Sequence, residues 1–448
     1  MRGDGPGRAH DREIWRLAVP AFLALVAEPL FLLSDAAIVG HLGTPELAGL
    51  GVAAVVLQTV VGLCVFLAYG TTASVARYLG AGDRARALAQ GIDGVWLAVL
   101  IGAVATVAGV VLTGPLVAAF GAGPEVSEQA RTYLRIAFLG TTPLLVMLAT
   151  TGVLRGLQDT TTPLVVAVVG NGANVLLNLL LVYGVGGWDG MGIAGSAIGS
   201  VIAQVGSAAA LLAVVVRAAR REGASLRPDL PGIRAAARAA LALVIRTLTL
   251  RAALLVTTYA VALGGSGAEG ATDLATHQLA VTIWGFLAFV LDAIAIAAQA
   301  ITGRYLGAGD VDATRAVTRR MVWWGAVSGV VTGVGLAATS PWLGALFTGD
   351  GDVRDRLVPV LVVAALGQPV AGVVFVLDGV LIGAGDGRYL AWAGTVVLAV
   401  YAPLVVLAAL AGGGLVWVWV VFVAVFMGAR FVALVSRERG DRWLVTGV

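Results

Sequence analysis

The sequence predicts an all-α integral membrane protein, with twelve transmembrane helices in two parallel-repeat six-helix bundles. Three observations carry that expectation. Hydrophobic residues make up 59% of the 448 positions and charged residues 12%, far from a soluble globular profile. Apolar runs of about 20 residues, each long enough to cross a bilayer as a helix, recur along the whole length. The chain also repeats itself at an offset of 227 residues: Ala76-Arg-Tyr-Leu-Gly-Ala-Gly-Asp83 returns as Gly303-Arg-Tyr-Leu-Gly-Ala-Gly-Asp310, and Gly152-Val-Leu-Arg-Gly-Leu-Gln-Asp159 as Gly379-Val-Leu-Ile-Gly-Ala-Gly-Asp386. Glu46-Leu-Ala and Asp273-Leu-Ala keep the same register. Doubling in so hydrophobic a chain points to two like halves around a central path.

Met1 to Arg16 is short, polar and Arg-rich, and it runs straight into the first span at 17–39. No small-residue cleavage site follows, so this is read as a retained helix and not a signal peptide. Pro20 and Pro29 loosen the hydrogen-bond ladder of span 1. Spans 2 (47–75) and 3 (91–113) are joined by the Gly-Ala-Gly-Asp loop ending at Asp83. There Gly supplies left-handed backbone and Asp can cap the next helix. A phosphate-binding loop is the sharper alternative, but it needs a strand and a Lys, and this chain has no Lys. Spans 4 (130–154), 5 (162–184) and 6 (192–216) complete the first half. A polar connection with Pro228 and Pro231 follows, which divides the chain into a first lobe at 1–217, a linker at 218–238 and a second lobe at 239–448. Spans 7 to 12 fall at 239–263, 273–301, 318–340, 356–382, 389–411 and 415–435. Six spans per half is an even number, so both halves enter the membrane in the same direction.

All 29 basic residues are Arg, and they alternate with span number. The even connections hold Arg77, Arg84, Arg86, Arg155, the run from Arg217 to Arg238, Arg304, Arg315, Arg319, Arg320 and Arg388. Both termini join them, through Arg2, Arg8, Arg12 and Arg16 and through Arg437, Arg439 and Arg442. The odd connections are neutral or acidic on balance. This pattern places both termini in the cytoplasm and the chain in the inner (plasma) membrane. The basic balance therefore reports orientation, and no nucleic-acid partner is expected. Cys64 is the only cysteine and lies in an apolar run, and His10, His41 and His277 lack ligand spacing, so no metal or cofactor is expected. Trp188, Trp323, Trp324, Trp342, Trp417 and Trp419 fall near span ends and read as interfacial anchors.

An ionisable group inside a span is costly and is a functional candidate by default. Asp35 lies late in span 1 with no basic residue in that span; unpaired in hydrocarbon, it is a candidate for taking up and releasing a proton. Glu28, seven residues earlier and about 10 Å along the axis, is either a second proton site or part of a wet cavity wall. Asn171, Asn174 and Asn178 form one stripe of span 5, either a cavity wall or interhelical glue. In the second half, Asp292 and Asp378 are intramembrane acids, and Arg246 and Arg251 belong to span 7. They read either as pairs that hold span 7 to its neighbours or as a second ion site. Position 262, the counterpart of Asp35, is Ala262: the scaffold repeats and the chemistry does not.

Over essentially all twelve spans the chain resembles the multidrug and toxic compound extrusion (MATE) transporters, in particular their DinF-like branch. The resemblance rests on Leu17-Ala-Val-Pro20, the stretch from Asp35 to Gly43, the loop at 76–83, the stretch from Gly152 to Pro163, the Asn stripe, Leu291-Asp292-Ala and Leu377-Asp378-Gly. It implies that Asp35 couples protons, that Pro20 marks the bend accompanying protonation, and that Asn174, Asn178 and Ser200 form a polar network in the first lobe. Relatives often carry Asp at the position of Asn178, so Asp35 acts alone or with Glu28. Relatives with a sodium site carry a Glu in span 7, where this chain has arginines, which favours H+ over Na+. The expected function is a secondary antiporter, working as a monomer, that exports a small amphiphilic and cationic organic compound against H+. The alternatives are a lipid-linked precursor flippase of the same broader superfamily and a Na+-coupled exporter. An intramembrane enzyme is disfavoured, because no Ser/His dyad, His-rich metal motif or soluble catalytic domain is present.

Overall fold

The computed structural model describes residues 6–265 and 267–448; Arg2, counted above among the N-terminal arginines, lies outside them. The described residues are helical throughout, apart from short connections and one isolated bridge between Val185 and Trp188. Twelve helical stretches are long and apolar enough to cross a membrane. The first half contains α1 (Pro6–Gly40), α2 (Thr44–Cys64) continued by α3 (Phe66–Gly80), α4 (Arg84–Ala118), α5 (Pro124–Ala137) continued by α6 (Thr141–Gly156), α7 (Thr161–Tyr183) and α8 (Ile193–Arg221). The second contains α9 (Leu230–Gly264), α10 (Gly267–Gly307), α11 (Val311–Phe347), α12 (Gly351–Gly383), α13 (Gly387–Leu410), and α14 (Gly414–Val421) joined through a π-helical stretch at 422–427 to α15 (Gly428–Arg439). Helix α1 runs unbroken through Pro20 and Pro29.

The packing is that of helices in lipid. On α4, Gly102 and Gly109 are buried against Thr142 and Phe138, while Leu100, Val104, Val107 and Val111 are exposed. Small residues let the helices approach closely and large apolar ones face outward, because lipid tails are no less apolar than the interior.

The 227-residue echo is an echo of geometry. Gly82 and Gly309 both have positive φ, 80° and 74°. Asp83 then accepts from the Arg86 N–H at 2.9 Å and Asp310 from the Ala313 N–H at 2.8 Å, capping α4 and α11 alike. Gly152 on α6 packs against the Ala68 backbone of α3, and Gly379 on α12 against that of Ala295 on α10; Ala68 and Ala295 are themselves 227 apart. Gly156 and Gly383 repeat the contact one turn later, against Thr72 and Gln299. One helix–helix seam is thus written twice. Gln158, the only non-glycine residue with positive φ among the described residues (64°), stands where the second half has Gly385 (φ 74°). At the seam, a methyl group on Gly379 would run into the Ala295 carbonyl, whereas one on Gly335 of α11 meets nothing within 4 Å. Gly379→Ala is therefore expected to destabilise by about 1–3 kcal/mol, while Gly335→Ala gains up to roughly 1 kcal/mol of helix propensity. Unfolding of the two variants in mixed detergent micelles checks the contrast.

By contact the chain forms two compact units, one of residues 19–240 and one of residues 1–18 with 241–448. These limits differ from the sequence-based lobes at both ends of the first unit. The start of α1 groups with the second unit because Asp11 receives two hydrogen bonds from Arg320, both 2.6 Å, and one from Trp324 at 2.7 Å, and because Glu13 pairs with Arg304 at 2.5 Å. The start of α9 groups with the first because buried Asp93 on α4 accepts from the Asp229 N–H at 3.0 Å, and Asp229 in turn accepts from the Gly232 N–H at 3.1 Å.

Candidate functional site

In the unit of residues 19–240, the closing of α8 on α7 makes the site. Gly195 and Gly199, one turn apart, carry no side chain where a Cβ would strike the Leu181 carbonyl and the Asn178 carboxamide. That close approach turns Ser196 and Ser200 of α8 and Asn174 and Asn178 of α7 toward each other, and all four are buried. The outer face of α7 is apolar and exposed, at Val165, Val168, Val169, Leu176 and Leu180. The helix thus presents its amides to protein and its branched side chains to lipid.

Asp35 of α1 enters this seam and is 3% exposed. Three neutral groups donate to it: Asn178 Nδ2 to Oδ1 at 2.9 Å, Ser196 Oγ to the same oxygen, and Tyr133 Oη of α5 to Oδ2 at 3.2 Å. The network extends from Asn178 Nδ2 to Asn174 Oδ1 at 3.2 Å and from Asn174 Nδ2 to Ser200 Oγ at 3.1 Å. Both Nδ2 protons of Asn178 are spent in this way, and its Oδ1 is buried with no donor among the described residues. No basic group pairs with Asp35 among the described residues. A buried carboxyl held only by neutral donors is tolerated through its hydrogen bonds, each worth about 1.5–3 kcal/mol when the acceptor is charged.

The other expected residues of this unit are placed differently. Asn171 donates to the Ala27 carbonyl at 2.8 Å and so ties α7 to α1 without joining the Asp35 network. Tyr183 makes a second tie, to the Ile38 carbonyl at 2.6 Å. Glu28 is exposed and shares no hydrogen bond with Asp35 among the described residues. Pro20 lies two residues beyond the point where α1 passes from one contact unit to the other.

Arg246 pairs with Asp378 Oδ2 on α12, and Arg430 of α15, which the sequence reading passed over, lies 3.3 Å from Asp378 Oδ1. Asp378 and Arg430 are buried, with side chains 4% and 10% exposed, and Arg246 is partly buried, at 15%. Arg251 is exposed, and Asp292 is half-buried without lining the cavity beside the pair. Trp419, read as an interfacial anchor, is instead 2% exposed: its Nε1 donates to His277 Nδ1 at 3.2 Å, and its ring meets Phe422 edge-on. Because Nδ1 accepts, His277 Nε2 carries the proton and faces Thr258 Oγ1 at 3.0 Å. This is a satisfied core histidine, not a ligand.

Comparison with known proteins agrees with a duplicated transporter fold. The family model described as MatE matches residues 20–180 and again 248–407. Protein DETOXIFICATION 44, chloroplastic, from Arabidopsis thaliana is 31% identical over 94% of this chain and 81% of its own length. DNA damage-inducible protein F from Escherichia coli (strain K12) is 31% identical over 84% and 81%. Among solved structures, the bent form of the Vibrio cholerae MATE transporter VcmN superposes with a TM-score of 0.86 at 19% identity, covering 98% of this chain and 99% of its own. A MATE transporter in the straight conformation gives 0.85 at 21% identity, covering 96% of each chain.

Proposed function

Since the chain belongs to the multidrug and toxic compound extrusion (MATE) transporter family, we propose that it is a secondary antiporter that exports an amphiphilic, cationic organic compound in exchange for H+. Membership makes it a multi-pass membrane transporter and not an enzyme. The observation that carries the proton reading is Asp35, buried with three neutral donors and no cation among the described residues. An ionised carboxylate accepts all three donors, whereas a protonated one must itself donate. The Tyr133 hydroxyl can turn to accept; Asn178 cannot without reversing its carboxamide. Proton uptake therefore rearranges the hydrogen bonds by which α5, α7 and α8 hold α1. Coupling follows if the two arrangements of this network differ in substrate affinity, since only a differential interaction shifts a conformational equilibrium.

Na+ is disfavoured as the coupling ion at Asp378, because two guanidiniums already face that carboxylate. The arginine distribution supports cytoplasmic termini and an inner-membrane location. Reconstitution into proteoliposomes, with ethidium as the transported cation and pH and Na+ gradients imposed separately, tests the proposal. The pH gradient is expected to drive uphill dye movement and the Na+ gradient to leave the dye at equilibrium. Accumulation driven by Na+ alone would overturn it.

A further inference from the structure

Each half of the chain begins on the unit of the other. The start of α1, through Ala18, groups with residues 241–448, and the start of α9, through Ala240, groups with residues 19–240. The surfaces that receive the two starts are copies, since Asp93 and Trp96 on α4 stand 227 positions before Arg320 and Trp323 on α11. On α4, Asp93 accepts from the Asp229 N–H at 3.0 Å, and the Trp96 indole donates to the Leu226 carbonyl at 3.2 Å. Both contacts hold main chain just ahead of α9. On α11, the Arg320 guanidinium forks onto both carboxylate oxygens of Asp11, and the Trp324 indole donates to one of them. The Trp15 ring meets that of Trp324 edge-on at 4.9 Å. This second grip is a bidentate ion pair, the most directional of the charge-assisted contacts.

From Asp11 the helix runs unbroken to Asp35, 24 residues on and about 36 Å along the axis. There the donors of α5, α7 and α8 hold it within the unit of residues 19–240. Helix α1 is therefore gripped by one unit at Asp11 and by the other at Asp35. Its copy α9 also passes between units, but it carries Ala262 where α1 has Asp35. Of the two crossing helices, α1 is the one with the carboxyl of the proton site. A proton bound in one unit biases the other only through an element that both units hold. With the start of α1 loose, a rearrangement at Asp35 would stay within the unit that contains it.

We propose that Asp11 and Arg320 are positioning residues for proton-coupled transport: they fix the start of α1 to the unit of residues 241–448, so that this unit feels the change of hydrogen bonding at Asp35. The proposal rests on the proton reading of Asp35. It is tested in proteoliposomes of the full-length protein, with ethidium and an imposed pH gradient. For one-for-one exchange, wild type is expected to hold about a tenfold dye gradient per pH unit, and Asp11→Arg and Arg320→Asp each less than about threefold. Downhill dye movement should continue in both, because neither residue belongs to the Asp35 network. The double variant Asp11→Arg/Arg320→Asp restores the pair with its signs exchanged and should recover most of the gradient. A merely structural contact would change the melting temperature without changing the ratio of uphill to downhill movement. If a reversal does not fold, Asp11→Ala, which only removes the carboxylate, is measured in its place and should lose the gradient likewise. A full gradient in the single variants, or a folded double variant without recovery, would overturn the proposal and leave the proton reading standing. A wild type that ignores the pH gradient would overturn both.

Discussion

Asp35→Asn is expected to abolish proton-driven efflux while leaving the folded protein intact. The substitution is nearly isosteric, and the carboxamide keeps an oxygen for the Ser196 hydroxyl and the Asn178 amide that now share Asp35 Oδ1. Its new Nδ2 would face the Tyr133 hydroxyl, which can accept as readily as it donates. Packing is preserved, but a carboxamide does not titrate. For one-for-one exchange each pH unit sustains about a tenfold substrate gradient, because about 1.4 kcal/mol corresponds to a factor of ten. Wild-type vesicles should therefore hold such a gradient, and Asp35→Asn vesicles should relax to equal concentrations on both sides. Retained uphill transport in that variant, with an unchanged gel-filtration profile, would mean that the proton binds elsewhere. Ser196→Ala separates position from titration. It removes a donor without removing the acid, so uphill transport should survive with a displaced pH profile.

How much of this was legible in the sequence depends on the range of each interaction. The spans and the repeat were legible because they are written locally, in runs of apolar residues and in a turn whose Gly and Asp have the same duty in both copies. Asp35, Asn174 and Asn178 stood out because each is polar within an apolar run. Tyr133 did not, since α5 opens with Glu125 and Glu128 and continues with Arg131 and Arg135, a helix whose polarity signals an interface. Ser196 was hidden among the small residues that allow α8 to approach α7, although its spacing of four from Ser200 marks the same stripe. The contact units differ from the sequence-based lobes at the start of α1, where the partners of Asp11 and Glu13 lie some three hundred positions away, at Arg320 and Arg304. Arg430 was passed over because its span soon ends in Arg437 and Arg439, a context that reads as interfacial. Trp419 was misjudged for the same reason, a bulky residue near a span end that in fact turns inward to His277.

The second large effect is expected at Asp378, and its asymmetry is the informative part. Asp378→Asn leaves Arg246 and Arg430 facing each other with no carboxylate between them. Removing one partner of a buried pair costs about 3–5 kcal/mol, and Asp378 faces two guanidiniums. Arg430→Gln also removes one partner of an ion contact, but it leaves Arg246 and Asp378 as a balanced pair, so it should cost less than about 1 kcal/mol. A purely pairwise account also predicts the larger loss at Asp378, which makes both contacts, but no recovery when Arg430→Gln is added. Repulsion between the two guanidiniums predicts in addition that adding Arg430→Gln to Asp378→Asn recovers part of the loss. Unfolding of the two single variants and the double variant in mixed micelles completes this cycle, with the interaction energy read as the departure from additivity. No recovery in the double variant would show that the two guanidiniums do not repel each other measurably. Recovery in the double variant would show that the Asp378 carboxylate keeps the two guanidiniums from repelling each other.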